Sequence, residues 1–174
     1  HHLVVTYDGS GNASGVKVYF DAEEQAITIT QNTLTGSTKN SIDVHLGTRN
    51  GAAQQYEGFF DEVRIYAYAR SATQVKVDYN FYAEVLGVKT QKYLSEGLVG
   101  YWKMDETSWT GAAGEVKDAS GNEHNGTASC YGVGCSVPTT GAGKFSNGGI
   151  FDGNQHYVNT PLSTNNLSTP ITVS

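Results

Sequence analysis

The chain predicts an all-β fold of antiparallel sheets with one short helix, and three observations carry that prediction. Apolar residues recur at every second position over short runs, as in Leu3, Val5 and Tyr7 or Val16, Val18 and Phe20. That is the period at which a strand sends side chains to one face. The runs are separated by glycine-rich turns, in a chain with 21 Gly and only 3 Pro, the punctuation of a multi-stranded β domain. A convincing helical signal comes only after Ser71. A length of 174 residues suffices for one domain with a sizeable core.

In chain order, Leu3 to Tyr7 and Val16 to Asp21 flank Asp8-Gly9-Ser10-Gly11-Asn12 and read as a hairpin. Val16, Val18 and Phe20 form the apolar face of its second strand, opposite Lys17, Tyr19 and Asp21. Ala26 to Thr30, with Ile27 and Ile29 on one face, gives a further strand, and Ile42, Val44 and Leu46 another, ended by Gly47 to Gly51. Gly58 to Ala67 shows the clearest alternation, with Phe59, Asp61, Val63, Ile65 and Ala67 sharing one face. Asp61 therefore lies on the apolar side, where a carboxylate needs charge-assisted hydrogen bonds or a cation to offset its desolvation. Ser71-Ala72-Thr73-Gln74 is a capping box, and Val75, Tyr79 and Tyr82 then fall on one helical face. Residues 85–97 read as a connecting segment. Leu98, Gly100, Trp102 and Met104 alternate with Val99, Tyr101 and Lys103 in the next strand. Ile150 to Asp152 and Tyr157-Val158 flank an Asp-Gly turn, and Ile171 to Ser174 begins a last strand.

Composition excludes some roles. A net charge of -6 argues against a nucleic-acid surface, which needs a basic patch to displace counterions. No apolar run approaches the roughly 18 residues of a membrane-spanning helix. Cys130 and Cys135 enclose two glycines, which favours a local disulfide and with it an extracellular or cell-surface location. A reduced pair and a zinc site, which lacks two further nearby ligands, are the other readings.

A family resemblance emerges from the motifs taken together. His1 to Gly9, Val16 to Asp21, Gly47-Thr48-Arg49-Asn50 and Phe60-Asp61-Glu62-Val63-Arg64-Ile65-Tyr66 through Ser71 resemble the closing half of the laminin-G-like, concanavalin A-like jelly-roll modules, distant relatives of pentraxins. Leu98 to Glu106, Asp118 to Asn122, Gly126-Thr127, Phe151-Asp152-Gly153 and Tyr157-Val158 resemble the opening half. The halves stand in permuted order. The resemblance therefore implies the end of one module (1–84), a linker (85–97) and the start of the next (98–174), with the halves able to dock as one sandwich.

No catalytic constellation is present. Retaining glycosidases hold two carboxyl groups about 5–5.5 Å apart, whereas Asp61-Glu62 and Asp105-Glu106 are adjacent and so project to opposite faces. Asp118, Ser120, Asn122 and Asn125 offer hard oxygens at short intervals around Gly121. Two readings stand open for them: a structural calcium site, with Asp61 as a further ligand, or a turn closed by its own side-chain bonds. Among the aromatic residues, Trp109 and Tyr131 are the expected exposed contacts for a ligand, while Trp102 is expected in the core. The implied role is non-catalytic: adhesion or binding of a glycan or extracellular protein, beside neighbouring modules of the same kind. The alternatives are a structural spacer in a stalk and an accessory carbohydrate-binding domain of a secreted enzyme.

Overall fold

The computed structural model describes residues 1–36, 38–49, 54–80, 95–163, 165, 167 and 170–174. In chain order its strands are β1 Leu3–Tyr7, β2 Val16–Phe20, β3 Glu23–Gln25, β4 Asp43–Leu46, β5 Glu57–Phe60 and β6 Val63–Tyr66, followed by helix α1 Ala72–Asn80. Then come β7 Leu98–Trp102, β8 Thr127–Cys130, β9 Thr139–Ala142, β10 Asn147–Asp152, β11 His156–Ser163 and β12 Ile171–Val173. Every registered strand pair is antiparallel. The expected class, all-β and antiparallel with a short helix, is the one found. Tyr82 and most of the connecting segment 85–97 lie outside the described residues, as do Asn50 and Gly51.

The chain forms two compact units, His1–Lys39 with Arg64–Val99 and Leu167–Ser174, and Asn40–Val63 with Gly100–Asn166. Most of the sheet ordered β3-β2-β1-β12-β6-β7 lies in the first. The opening hairpin forms as expected, with Leu3 opposite Phe20 and Tyr7 opposite Val16. Its buried face is the other one. Val4, Tyr19 and Ala22 pack with Val75 of α1, so the helix covers the Val4 and Tyr19 side. Phe20 and Leu3 are left 40% and 56% exposed. Alternation reports that a strand has two faces; which one is covered depends on where the helix returns.

The capping box forms: the Ser71 amide donates to Gln74 Oε1 at 2.9 Å, and the Gln74 amide to Ser71 Oγ at 3.3 Å. Downstream of it, α1 buries Val75 and Asp78 while Tyr79 stays half exposed. The expected strand Ala26–Thr30 does not form, and Ile27 and Ile29 are exposed. β3 is the outermost strand of its sheet, so the chain beyond it has no adjacent strand to complete a ladder, and β propensity alone does not hold a strand.

The second unit holds two three-stranded sheets, β5-β10-β9 and β4-β11-β8. The Asp-Gly turn joins β10 to β11 as expected, yet the two strands enter different sheets. Trp102, Met104, Val116, Phe151, Val158 and Leu162 are almost entirely buried, each worth about 1.5–3 kcal/mol relative to exposure. The single strand expected over Gly58–Ala67 is two, β5 and β6, in different sheets. Glu62, with φ of 59°, breaks the extended backbone between them, since a left-handed residue cannot continue a ladder. The facing of β5 is consequently reversed. Phe59 is 58% exposed, while Phe60 stacks on Tyr56 at 4.3 Å and meets Phe151 edge-on at 5.1 Å.

Strands from both sequence halves pair with one another. β12 lies between β1 and β6, β10 pairs with β5, and β11 pairs with β4. No helix among the described residues is long and apolar enough to cross a membrane.

Candidate functional site

The loop after β7 is organised by Asp118. Its residue faces Trp102 across an isolated antiparallel bridge, which anchors the loop to the strand, and its side chain is fully buried. Oδ1 accepts the amides of Tyr101 at 2.9 Å and Ser120 at 2.8 Å. Oδ2 accepts the Ser120 hydroxyl at 2.8 Å and the His124 amide at 3.0 Å. Asn125 Oδ1 accepts the Asp118 amide at 2.9 Å, and Asn122 Nδ2 donates to Ser120 Oγ at 3.1 Å. Gly121 turns the chain with φ of 90°, a conformation glycine adopts freely. Burial of the Asp118 carboxyl opposes ionisation, but the hydrogen bonds from Ser120, Tyr101 and His124 outweigh it and hold its pKa below the ordinary value.

Four of the five residues expected around a cation are thus brought together, while Asp61 is held by other partners. At the break between β5 and β6, Asp61 Oδ2 accepts the Phe145 amide at 2.9 Å. A backbone bond from Lys144 adds to it. Asp61 therefore meets the backbone of a crossing loop, the first of the two ways in which a carboxylate on an apolar face can be satisfied. Its Oδ1 is buried and has no hydrogen-bond partner among the described residues. Burial raises the pKa of Asp61, opposed by the Phe145 and Lys144 bonds and reinforced by Glu62 and Asp105. The charge is therefore poorly tolerated, while the acceptor is needed. Asp61→Asn is expected to leave neutral-pH stability unchanged or raise it by up to about 1 kcal/mol, read by chemical denaturation. A loss above about 2 kcal/mol would show that the charge itself is required. Among the described residues, no group of three or more His, Cys, Asp or Glu is placed to hold a metal ion.

Trp109 is not the exposed platform expected of it. It is 6% exposed, its indole N–H donates to Glu106 Oε2 at 3.1 Å, and its ring fills the space above Gly149. A Cβ there would lie 2.6 Å from the ring. The absence of a side chain at Gly149 is what draws the indole in. Tyr131 is exposed, on the loop closed by the Cys130–Cys135 disulfide. Cys130 stands opposite His156 in the β8 to β11 ladder, so the disulfide ties the loop to the sheet end.

Sequence reasoning missed a buried ion pair in the first unit. Arg70 and Asp78 have fully buried side chains, with Nη2 to Oδ1 at 2.5 Å. Arg70 also donates from Nη1 to the Tyr68 hydroxyl at 2.7 Å and lies 4.2 Å from the Tyr66 ring centroid. Its amide donates to Thr172 Oγ1, which in turn donates to the Tyr68 carbonyl, both at 2.7 Å. The available signal was Asp78 three residues after the core-facing Val75, on the same face of the helix.

A family model described as the Concanavalin A-like lectin/glucanases superfamily, Laminin_G_3, matches residues 1–76. No curated protein and no solved structure matches the chain. The matched stretch contains the motifs that resemble the closing half of a module, from the opening hairpin through the broken strand to Ser71, whereas the motifs between Leu98 and Val158 lie outside it. Residues 1–76 are therefore similar to the laminin-G-like modules of the concanavalin A-like lectin/glucanase superfamily, and the antiparallel, all-β fold class of the chain agrees with that likeness.

Proposed function

We propose that the chain is a non-catalytic adhesion or binding module, for a carbohydrate or protein ligand, within a multi-module secreted or surface protein. The observation that carries this reading is the match of residues 1–76 to a superfamily of lectins and glucanases. The non-catalytic half is supported by how the acidic side chains are employed. Glu62 accepts the Tyr101 hydroxyl, Glu106 accepts from Trp109 and from the Lys117 amide, and Asp105 from the Asn147 amide. Each carboxylate is thus engaged by a donor of the protein itself. Retaining glycoside cleavage instead needs two carboxyl groups facing each other across a sugar. The Cys130–Cys135 disulfide suits an oxidising, extracellular compartment. Neighbouring modules of the same kind would add avidity to a weak single site.

The loop at Asp118 serves this module as a structural turn rather than as a calcium site. Its carboxylate already accepts four protein donors, and Asn125 Oδ1 accepts a fifth hydrogen bond. A calcium ion needs six to eight oxygens with lone pairs to spare, which supports the reading of this loop as a turn.

Screening the purified chain on arrays of glycans and extracellular-matrix proteins, in calcium and in chelator, tests both statements. Saturable binding to one class, equal in the two buffers, is expected. Blank arrays would leave a structural spacer as the reading, glycan turnover would overturn the non-catalytic assignment, and a calcium requirement would restore the metal site.

A further inference from the structure

We propose that the first unit carries a binding groove for a neutral oligosaccharide, between the open face of β1 and β2 and residues 31–34 with Thr38. This rests on the binding role proposed for the module and gives it a place and a ligand class. The groove is an open cavity of about 500 Å³ lined by Tyr7, Val16, Leu34, Asn12, Asn32 and Thr38, among others. That volume is in the range of small-ligand sites.

Its floor follows from strand register. Tyr7 and Val16 are direct partners across the β1 to β2 ladder, so their side chains lie together on one face, the face α1 does not cover. Leu34, 47% exposed, adds an apolar wall. A ring and two aliphatic side chains suit the C–H faces of a pyranose.

The polar groups are fixed in place while keeping bonding capacity. Gly11 donates its amide to the Tyr7 hydroxyl at 2.6 Å, which leaves the phenolic proton to donate. Ala13 donates to Asn32 Oδ1 at 2.9 Å, setting the amide and leaving both Nδ2 hydrogens uncommitted among the described residues. Asn12 Nδ2 donates to the Ser10 carbonyl at 3.2 Å, which keeps its Oδ1 as an acceptor. Free donors and free acceptors therefore line one groove, the combination that hydroxyl groups, each donor and acceptor, can satisfy.

Charge and topology narrow the ligand further. No acidic or basic side chain lines the groove among the described residues, so a sulfated, phosphorylated or carboxylated ligand finds no counter-charge. A peptide captured by strand addition needs an open sheet edge. β1 is paired with β2 and β12, and β2 with β1 and β3, so the floor offers none.

The test is titration calorimetry of the full chain with hexaoses of glucose, galactose, mannose and N-acetylglucosamine, and with their sulfated counterparts. At least one neutral hexaose should bind, with its sulfated form no tighter. Asn32→Ala should weaken that binding by about tenfold, as expected for one or two lost hydrogen bonds. Leu34→Asp, at an exposed position that takes no part in holding the turn, should abolish it with an unchanged melting temperature. Glycan binding indifferent to both substitutions would overturn the groove while leaving the module a glycan binder. Binding confined to a matrix protein would overturn the groove and leave the module a protein binder. Tighter binding of sulfated ligands would overturn the neutral class. Absence of binding to glycans and matrix proteins alike would overturn the groove and the binding role together.

Discussion

Arg70→Met is expected to destabilise the chain by about 3–5 kcal/mol, the usual cost of removing one member of a buried ion pair. Arg70 and Asp78 are both fully buried and in direct contact, so the variant leaves a carboxylate in an apolar site with its cation gone. The loss should depend on pH with a definite sign. Burial already raises the pKa of Asp78, with Arg70 as the main opposing influence, and without Arg70 it rises further. A group with a raised carboxyl pKa in the folded state costs nothing below its unfolded value near 3.8. The penalty grows as pH rises from there toward the folded value. The stability gap between wild type and Arg70→Met, from urea unfolding, should therefore be wider at pH 7.5 than at pH 4. Tyr66 does not complicate that window, since burial pushes its hydroxyl up to about 12. The double variant Arg70→Met with Asp78→Leu should recover most of the loss, because no unpaired charge remains. A gap that is flat with pH, or a double variant as unstable as the single, would show that Arg70 matters through its packing on Tyr66 and its bond to Tyr68 rather than through the ion pair.

Asp118→Ala is expected to cost about 4 kcal/mol, because several donors lose a charged acceptor at once. The amides of Tyr101, Ser120 and His124 and the Ser120 hydroxyl all end on this carboxylate. In a chain of this length the change amounts to roughly a 10 °C drop in melting temperature. Asp118→Asn should fall between wild type and alanine, since an amide oxygen accepts while the amide nitrogen confronts other donors. The pH dependence runs opposite to that of Asp78. Hydrogen bonding holds the folded pKa of Asp118 below 3.8, so its contribution is complete above that value and is lost as pH falls through the folded one. Wild type should lose stability on acidification below about pH 4 more steeply than Asp118→Ala. An equal slope in the two proteins would place the acid sensitivity elsewhere.

Much of the fold was legible residue by residue. The alternating runs at Leu3 and Val16, the Asp-Gly turn after Asp152 and the Ser71 to Gln74 box are local signals, and local physics is enough to read them. The break at Glu62 was not legible, because a non-glycine residue with positive φ leaves no mark in an alternating pattern. Its consequence was a reversed facing for Phe59 and Phe60 and a place for Asp61 against the turn at Phe145. The candidate site divides in the same way. Asp118, Ser120, Asn122 and Asn125 were found by their spacing and do converge. Trp109 was misread because its burial depends on Gly149, forty residues away.

What the sequence by itself determined is the class of the molecule: antiparallel strands, a capped helix and laminin-G-like motifs, each encoded within a few neighbouring residues. What only the tertiary structure decided is which faces are covered, and by whom. The helix buries Val4 and Tyr19 rather than Val5 and Phe20, and Arg70 finds Asp78 inside the first unit. The donors around Asp118 take up its carboxylate, and Tyr7 and Val16 remain on the face that α1 leaves uncovered. The physical reason is that periodicity states how side chains divide between two faces of an element. The free energy that selects a face is a sum over partners distant in the chain, and only folding brings those partners together.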